Sequence, residues 1–332
     1  VDLAVLWFGL VVLCWVLFLV LEGFDFGVGM LAPVLGRDAP QRGAALRTIA
    51  PVWDGNEVWL VAAVGVTFAA FPDWYASMLS GLYLPMVALL LGLAVRGVAL
   101  EFRGKKDDDA WRTRCDLALA FSSAAVAAIL GAVLGVLAGG LAIGADGEVA
   151  ATGGALARTL GVLVTPAALI GAAVGVTSAL LLGATYLSLR TTGPVRERAR
   201  SWVAPAAGAL ALAAMLAVAT SGLPWWLGAV AVALLGAGVL ASRRGREGWA
   251  FAVVVVLQAL VVVALFVRGA PVLLASTLDP AWSITIASAA ASDTALTTIS
   301  WAALFILPGV LVYQALAYWV FRRRVSSDPV PT

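Results

Sequence analysis

Two pairs of carboxylates are the residues best placed to do chemistry in this chain: Glu22 with Asp25, and Asp54 with Glu57. Each pair is spaced three apart, which puts both members on one face of a helix, where they can line a single wet seam. Arg96, with Glu101 close after it, lies in a third apolar stretch. Acids beside a guanidinium in a low-dielectric setting can take up and release protons near neutral pH, because burial and a neighbouring cation act in opposite senses on a carboxyl group. That is the chemistry of a proton relay. The alternative is a static ion-pair cluster around Arg96 that only fixes helix packing, since structural networks perturb ionisation too. Metal chemistry is not expected here. The chain has no histidine, the commonest ligand for haem, zinc, copper and non-haem iron. Cys14 and Cys115 are too few for a disulfide framework and read as small apolar fillers. Met30, Met78, Met86 and Met215 are not paired at ligand-like spacing.

The elements that must carry these groups follow from composition. Of 332 residues, 62% are hydrophobic and 12% charged, with a mean hydropathy of +1.01. Soluble domains carry about 25% charged residues, and half that density cannot cover a chain of this size with water-compatible groups. Its solvent is lipid. A net charge of +2 leaves no footprint for nucleic acid. Apolar runs able to cross a hydrocarbon core of about 30 Å, which takes roughly 20 residues, fall near 4–34, 51–71, 77–100, 116–141, 160–188, 202–221, 224–241, 249–267 and 297–320. The expected fold is therefore an all-α polytopic membrane protein, nine transmembrane helices forming one domain over 1–332. The first run is too long for a cleaved signal peptide and follows Val1 and Asp2 rather than a basic region, so it is expected to stay in the mature protein.

Basic residues give the orientation. Arg37, Arg42 and Arg47 follow the first run, five Arg and Lys between 103 and 114 follow the third, and Arg190 to Arg200 follow the fifth. Arg243, Arg244 and Arg246 follow the seventh and Arg322 to Arg324 the ninth, so that alternate ends hold 18 of the 21 basic residues. The positive-inside rule then puts the N-terminus outside and the C-terminus in the cytoplasm. Trp74, Trp225, Trp226 and Trp282 at external ends, and Trp111, Trp202, Trp249 and Trp319 at internal ones, read as interfacial belts. The external stretches 142–159 and 268–296, rich in small residues, read as packed caps.

The middles of the fourth to ninth runs carry no Asp, Glu, Lys or Arg, so buried charge is confined to the first three. At about 1.5 Å per residue, Asp54 and Glu57 lie roughly 5 to 10 Å from the internal end, and Glu22 and Asp25 roughly 13 to 18 Å. The ladder of titratable groups opens only to the cytoplasm. Gly23 and Gly27 form the small-xxx-small pattern that lets membrane helices approach closely. Pro51 fits the first turn of the second helix, and Pro308 is expected to kink the ninth.

The motifs themselves are familiar. The runs Glu22-Gly23-Phe24-Asp25-Phe26-Gly27-Val28-Gly29-Met30-Leu31 and Ile49-Ala50-Pro51-Val52-Trp53-Asp54-Gly55-Asn56-Glu57-Val58-Trp59-Leu60 closely resemble subunit II of the cytochrome bd quinol oxidases. Further similarity lies at Phe71-Pro72, Arg96 to Arg103, Gly183 to Leu187 with Arg190-Thr191, and Pro308 to Phe321, so the likeness covers essentially the full length. The resemblance implies a heterodimer in the bacterial cytoplasmic membrane. Subunit I would carry haems b and d and the quinol site, and this chain a similar nine-helix fold without haem. It further implies oxidation of quinol, reduction of oxygen to water, and a proton path lined by the positions matching Glu22, Asp25 and Asp54. Gln is compatible with the family's pattern at Glu57, which makes Glu57 a less obligatory carrier. Some family members hold a structural quinone in this subunit, and small single-helix subunits can join the complex. No residue here identifies such a quinone site. The bias of 19 arginines to 2 lysines points to a high-GC genome, with menaquinol as the reductant. Two other readings stand beside this one: a proton-coupled secondary transporter, and a purely structural partner subunit.

Overall fold

The computed structural model describes residues 2–150 and 154–326, and all its long elements are helices. They run α1 (Leu3–Leu35), α2 (Ala39–Leu46), α3 (Trp53–Ala70), α4 (Pro72–Gly81), α5 (Tyr83–Phe102), α6 (Asp109–Gly139), α7 (Ala155–Gly161), α8 (Pro166–Arg190), α9 (Gly193–Ser221), α10 (Trp225–Arg243), α11 (Glu247–Gly269), α12 (Ile286–Ala289) and α13 (Asp293–Val320). Among the described residues, eight are long and apolar enough to cross a membrane: α1, α5, α6, α8, α9, α10, α11 and α13. The second of the nine expected spans, α3, is outside that set. Its first turns carry Asp54, Asn56 and Glu57, which dilute the apolar run. By length its 18 residues still reach about 27 Å.

Several boundaries differ from the hydropathy reading for one reason: apolarity marks what meets lipid, whereas a helix can continue past it. α6 begins at Asp109 rather than near 116, and α9 at Gly193 rather than near 202, each with an arginine-bearing extension. The expected span at 77–100 begins in α4, breaks at Leu82 and resumes in α5. The one at 160–188 is interrupted at Thr165, which caps α8 through Ala168 N–H. Pro51 lies ahead of α3 rather than in its first turn. The chain there makes tight turns, with Thr48, Ile49 and Val52 donating to carbonyls three residues back. Trp74 is a core residue, not an interfacial anchor: it is 1% exposed and meets Phe71 and Phe266 edge-on. Trp225, Trp226, Trp249 and Trp319 are exposed.

α1 is the axis of the bundle, and every residue from Glu22 to Ala32 is buried. Its approach to α8 depends on two glycines. A Cβ on Gly27 would stand 2.7 Å from Gly183 Cα, and one on Gly183 would stand 2.5 Å from Gly27 Cα. Backbone meets backbone there, as small-residue interfaces allow in membranes. Gly23 faces Leu182, whose Cδ1 a Cβ would meet at 2.8 Å.

At the end opposite the arginine-rich one, two loops close over the bundle. Leu141 N–H donates to Ala275 O and Thr277 N–H to Leu141 O, at 3.0 and 2.9 Å. The Ser276 hydroxyl donates to Ile143 O at 2.8 Å. β1 (Val272–Leu274) pairs antiparallel with β2 (Ile284–Thr285), while Ile143 and Leu274 are fully buried beneath.

Candidate functional site

Glu22 and Asp25 share the face of α1 that receives Arg96 from α5, and all three are fully buried. Arg96 Nη1 is 2.9 Å from Glu22 Oε1 and 3.9 Å from Glu57 Oε2. Its Nη2 is 3.9 Å from Asp25 Oδ2. The rings of Phe26 and Trp53 flank the guanidinium, their centroids 5.2 and 6.0 Å from Cζ, so aromatic faces supply part of the solvation that water would give. Three carboxyl groups thus surround one cation. Ionised together they would leave two uncompensated negative charges in the interior, a costly state. Glu57 keeps 27% of its side chain exposed and forms the open edge of the group.

The cluster holds unused hydrogen-bonding capacity. Glu22 Oε2, Asp25 Oδ1, Glu57 Oε2, and Nε and Nη2 of Arg96 are buried without a hydrogen-bond partner among the protein groups. Glu22 and Asp25 lie one helical turn apart on α1, each with one such unpartnered oxygen. A carboxylate can only accept, whereas a protonated carboxyl group can also donate, so a proton lets such an oxygen find a partner.

Asp54 and Glu101 stand apart. Asp54 is exposed in the first turn of α3, three residues before Glu57 and toward the arginine-bearing end. Glu101 is exposed on α5 and makes no ion pair with Arg96. Five residues along a helix turn the side chain by roughly 140°, away from the face that Arg96 uses.

Three participants escaped the sequence reading because they carry no charge. Asn56 is fully buried and donates from Nδ2 to Asp25 Oδ2 at 2.8 Å. Its Oδ1 accepts from Gln314 Nε2 and from the Tyr318 hydroxyl, both at 2.8 Å. The signal was available: Gln314 is the single amide in the apolar run 297–320, and a buried amide needs partners much as a charge does. Two acid–arginine groups at the basic end were also missed. Asp116 meets Arg42 at 2.9 Å and Arg103 at 2.5 Å, and Glu247 meets Arg196 at 2.6 Å and Arg324 at 3.8 Å. Asp116→Ala is expected to cost about 1 to 3 kcal/mol by orphaning its arginines, read as a lower thermal midpoint in detergent. Asp107→Ala, at a carboxylate 95% exposed, is expected to change it little.

The sequence matches the family described as "Cytochrome bd terminal oxidase subunit II" over residues 3–321. The chain belongs to that family. This subunit II is 37% identical to "Cytochrome bd ubiquinol oxidase subunit 2" of Bacillus subtilis (strain 168) over 335 residues, which cover 97% of this chain and 96% of the relative. Its identity to "Cytochrome bd-I ubiquinol oxidase subunit 2" of Escherichia coli (strain K12) is 28% over 371 residues, covering 98% and 96%. The fold is that of a solved bd oxidase from Geobacillus thermodenitrificans, with a TM-score of 0.78 at 21% identity, covering 97% of this chain and 99% of that one. The protein is therefore a subunit of a bd-type quinol oxidase, an oxidoreductase complex, and a multi-pass bacterial membrane protein. That assignment displaces the transporter reading. The family also implies haems in the complex, and the residues of this chain do not fit one. No histidine is present, and Met30, Met78 and Met86 are packed into the apolar core. Among the described residues no three His, Cys, Asp or Glu side chains group as metal ligands.

Proposed function

We propose that this subunit scaffolds a haem-bearing subunit I and conducts protons to it from the cytoplasm through Asp54, Glu57, Glu22 and Asp25. In this reading α3 also crosses the membrane and brings the spans to nine, the arginine-rich end faces the cytoplasm and the N-terminus lies outside, as the positive-inside rule requires. The complex sits in the cytoplasmic membrane, and subunit I oxidises quinol and reduces oxygen to water. The observation that carries the proposal is the set of three carboxyl groups around the single buried Arg96, with oxygens left over on each acid. Asp54, exposed at the mouth, collects protons, and the half-open Glu57 passes them inward. Glu22 and Asp25 hold the proton and pass it on, and Arg96 keeps the group's net charge low enough for the interior.

The test is Asp25→Asn, in parallel with Glu22→Gln and Asp54→Asn, in the assembled complex, with haem content read from the visible spectrum. Quinol-driven oxygen uptake per haem is expected to fall about a hundredfold for Asp25→Asn, the scale of losing a positioned proton carrier. Asp54 has an aqueous alternative, so its loss is expected to be smaller. Unchanged uptake per haem in all three variants would sink the proposal. A purely structural subunit is the second reading, favoured by the direct 2.9 Å pair of Arg96 and Glu22. It predicts lower stability with full turnover.

A further inference from the structure

We propose that Gln314 and Tyr318 are positioning residues for the acid cluster: by fixing the amide of Asn56, they determine which oxygen of Asp25 can carry a proton. The inference rests on the proton-conduction reading above.

A primary amide has an acceptor end and a donor end, and Asn56 is fully buried, so bulk solvent does not compete for either. Two donors from α13, Gln314 Nε2 and the Tyr318 hydroxyl, converge on its Oδ1. Nδ2 is thereby turned toward Asp25 Oδ2. The reverse orientation would set the Asn56 NH2 group against the Gln314 NH2 and its oxygen against a carboxylate oxygen of Asp25, keeping only the Tyr318 hydroxyl, turned to accept, as a partner. Asp25 Oδ2 is therefore held as an acceptor. A proton that reaches Asp25 resides on Oδ1, the oxygen with no other donor. There no donor blocks it, whereas on Oδ2 it would face an amide N–H and stop.

The makeup of α13 sets this apart from ordinary packing. Leu296 is the one fully enclosed side chain on α13, and most of its large apolar residues are exposed. Such a helix gains little from core contacts, yet it directs two polar side chains, one turn apart, at a single buried amide. Tyr318 is further steadied by the edge of its ring against Phe24, at a centroid distance of 6.4 Å.

The experiment uses the purified oxidase complex bearing Gln314→Leu with Tyr318→Phe, and Tyr318→Phe alone. Two readouts are taken: oxygen uptake per haem across pH, and the infrared C=O stretch of protonated Asp25, assigned by its disappearance in Asp25→Asn. In the double variant uptake is expected to drop about threefold to tenfold, the factor for one neutral hydrogen bond. The pH profile is expected to move and the Asp25 band to shift, at normal haem content. Tyr318→Phe keeps the ring and its packing, so it gives the same readouts, at smaller amplitude, if the double variant does not assemble. An unmoved profile and band, in an enzyme that Asp25→Asn still disables, would overturn this inference alone. Full turnover in Asp25→Asn would instead remove the proton route on which it rests.

Discussion

Arg96→Met is expected to abolish accumulation of the assembled oxidase. The change leaves Glu22, Asp25 and Glu57 converging on a site with no cation, two of them fully buried. Breaking a buried ion pair from one side costs about 3 to 5 kcal/mol, a large part of the roughly 5 to 15 kcal/mol that holds a typical protein folded. The measurement is the yield of complex with a normal haem spectrum after mild solubilisation. Arg96→Lys is expected to recover part of that yield, since a point charge lacks the fork that lets one guanidinium face Glu22 and Asp25 from two nitrogens. Adding Glu22→Leu and Asp25→Leu to Arg96→Met is expected to restore assembly further, because removing the fully buried charges together is often neutral and the remaining acid, Glu57, is 27% exposed. That triple variant should assemble yet turn over poorly. Wild-type yield for Arg96→Met by itself would show that the cation is not what holds the three acids together.

Gly183→Leu is the second substitution expected to act strongly, and through geometry alone. A Cβ at this position already stands 2.5 Å from the backbone of Gly27, where no flexible side chain can yield. Overpacking a close-packed site costs about 1 to 3 kcal/mol and more where backbone must move. The helix displaced is α1, so the shift carries Glu22 and Asp25 away from Arg96, and both thermal midpoint and turnover should fall. Gly9→Ala and Gly65→Ala, where nothing lies within 4 Å of the added carbon, should leave both near wild type. A thermal scan in detergent with oxygen uptake per haem separates these cases. A Gly183→Leu complex with unaltered midpoint would mean that α1 and α8 do not pack as described.

What could be read from the sequence was what interrupts an apolar run. Glu22, Asp25 and Arg96 stand out because a charge in lipid requires a reason, and the family motifs around residues 22–31 and 49–60 were long enough to recognise. The polar start of α3 was legible as chemistry, yet the same residues lower its apolarity below that of the other long helices. Asn56, Gln314 and Tyr318 were passed over because they carry no charge, and because their pairing joins residues 258 and 262 apart. No local periodicity encodes such a contact. Glu101 shows the converse, since closeness along the chain to Arg96 is not closeness on the helix surface. Trp74 shows that a position at the end of a span does not say whether the ring turns toward headgroups or inward to Phe71 and Phe266.

The distance along the chain between Asn56 and its partners also sets an order in time. A ribosome making this polypeptide delivers Glu22, Asp25, Asn56 and Arg96 early, but the residues that lock the amide arrive 258 and 262 positions after it. A truncated or stalled product ending before the last helix would carry every acid and still lack the clamp. If the amide positions Asp25 as proposed, only the finished protein can set its carboxyl groups in order.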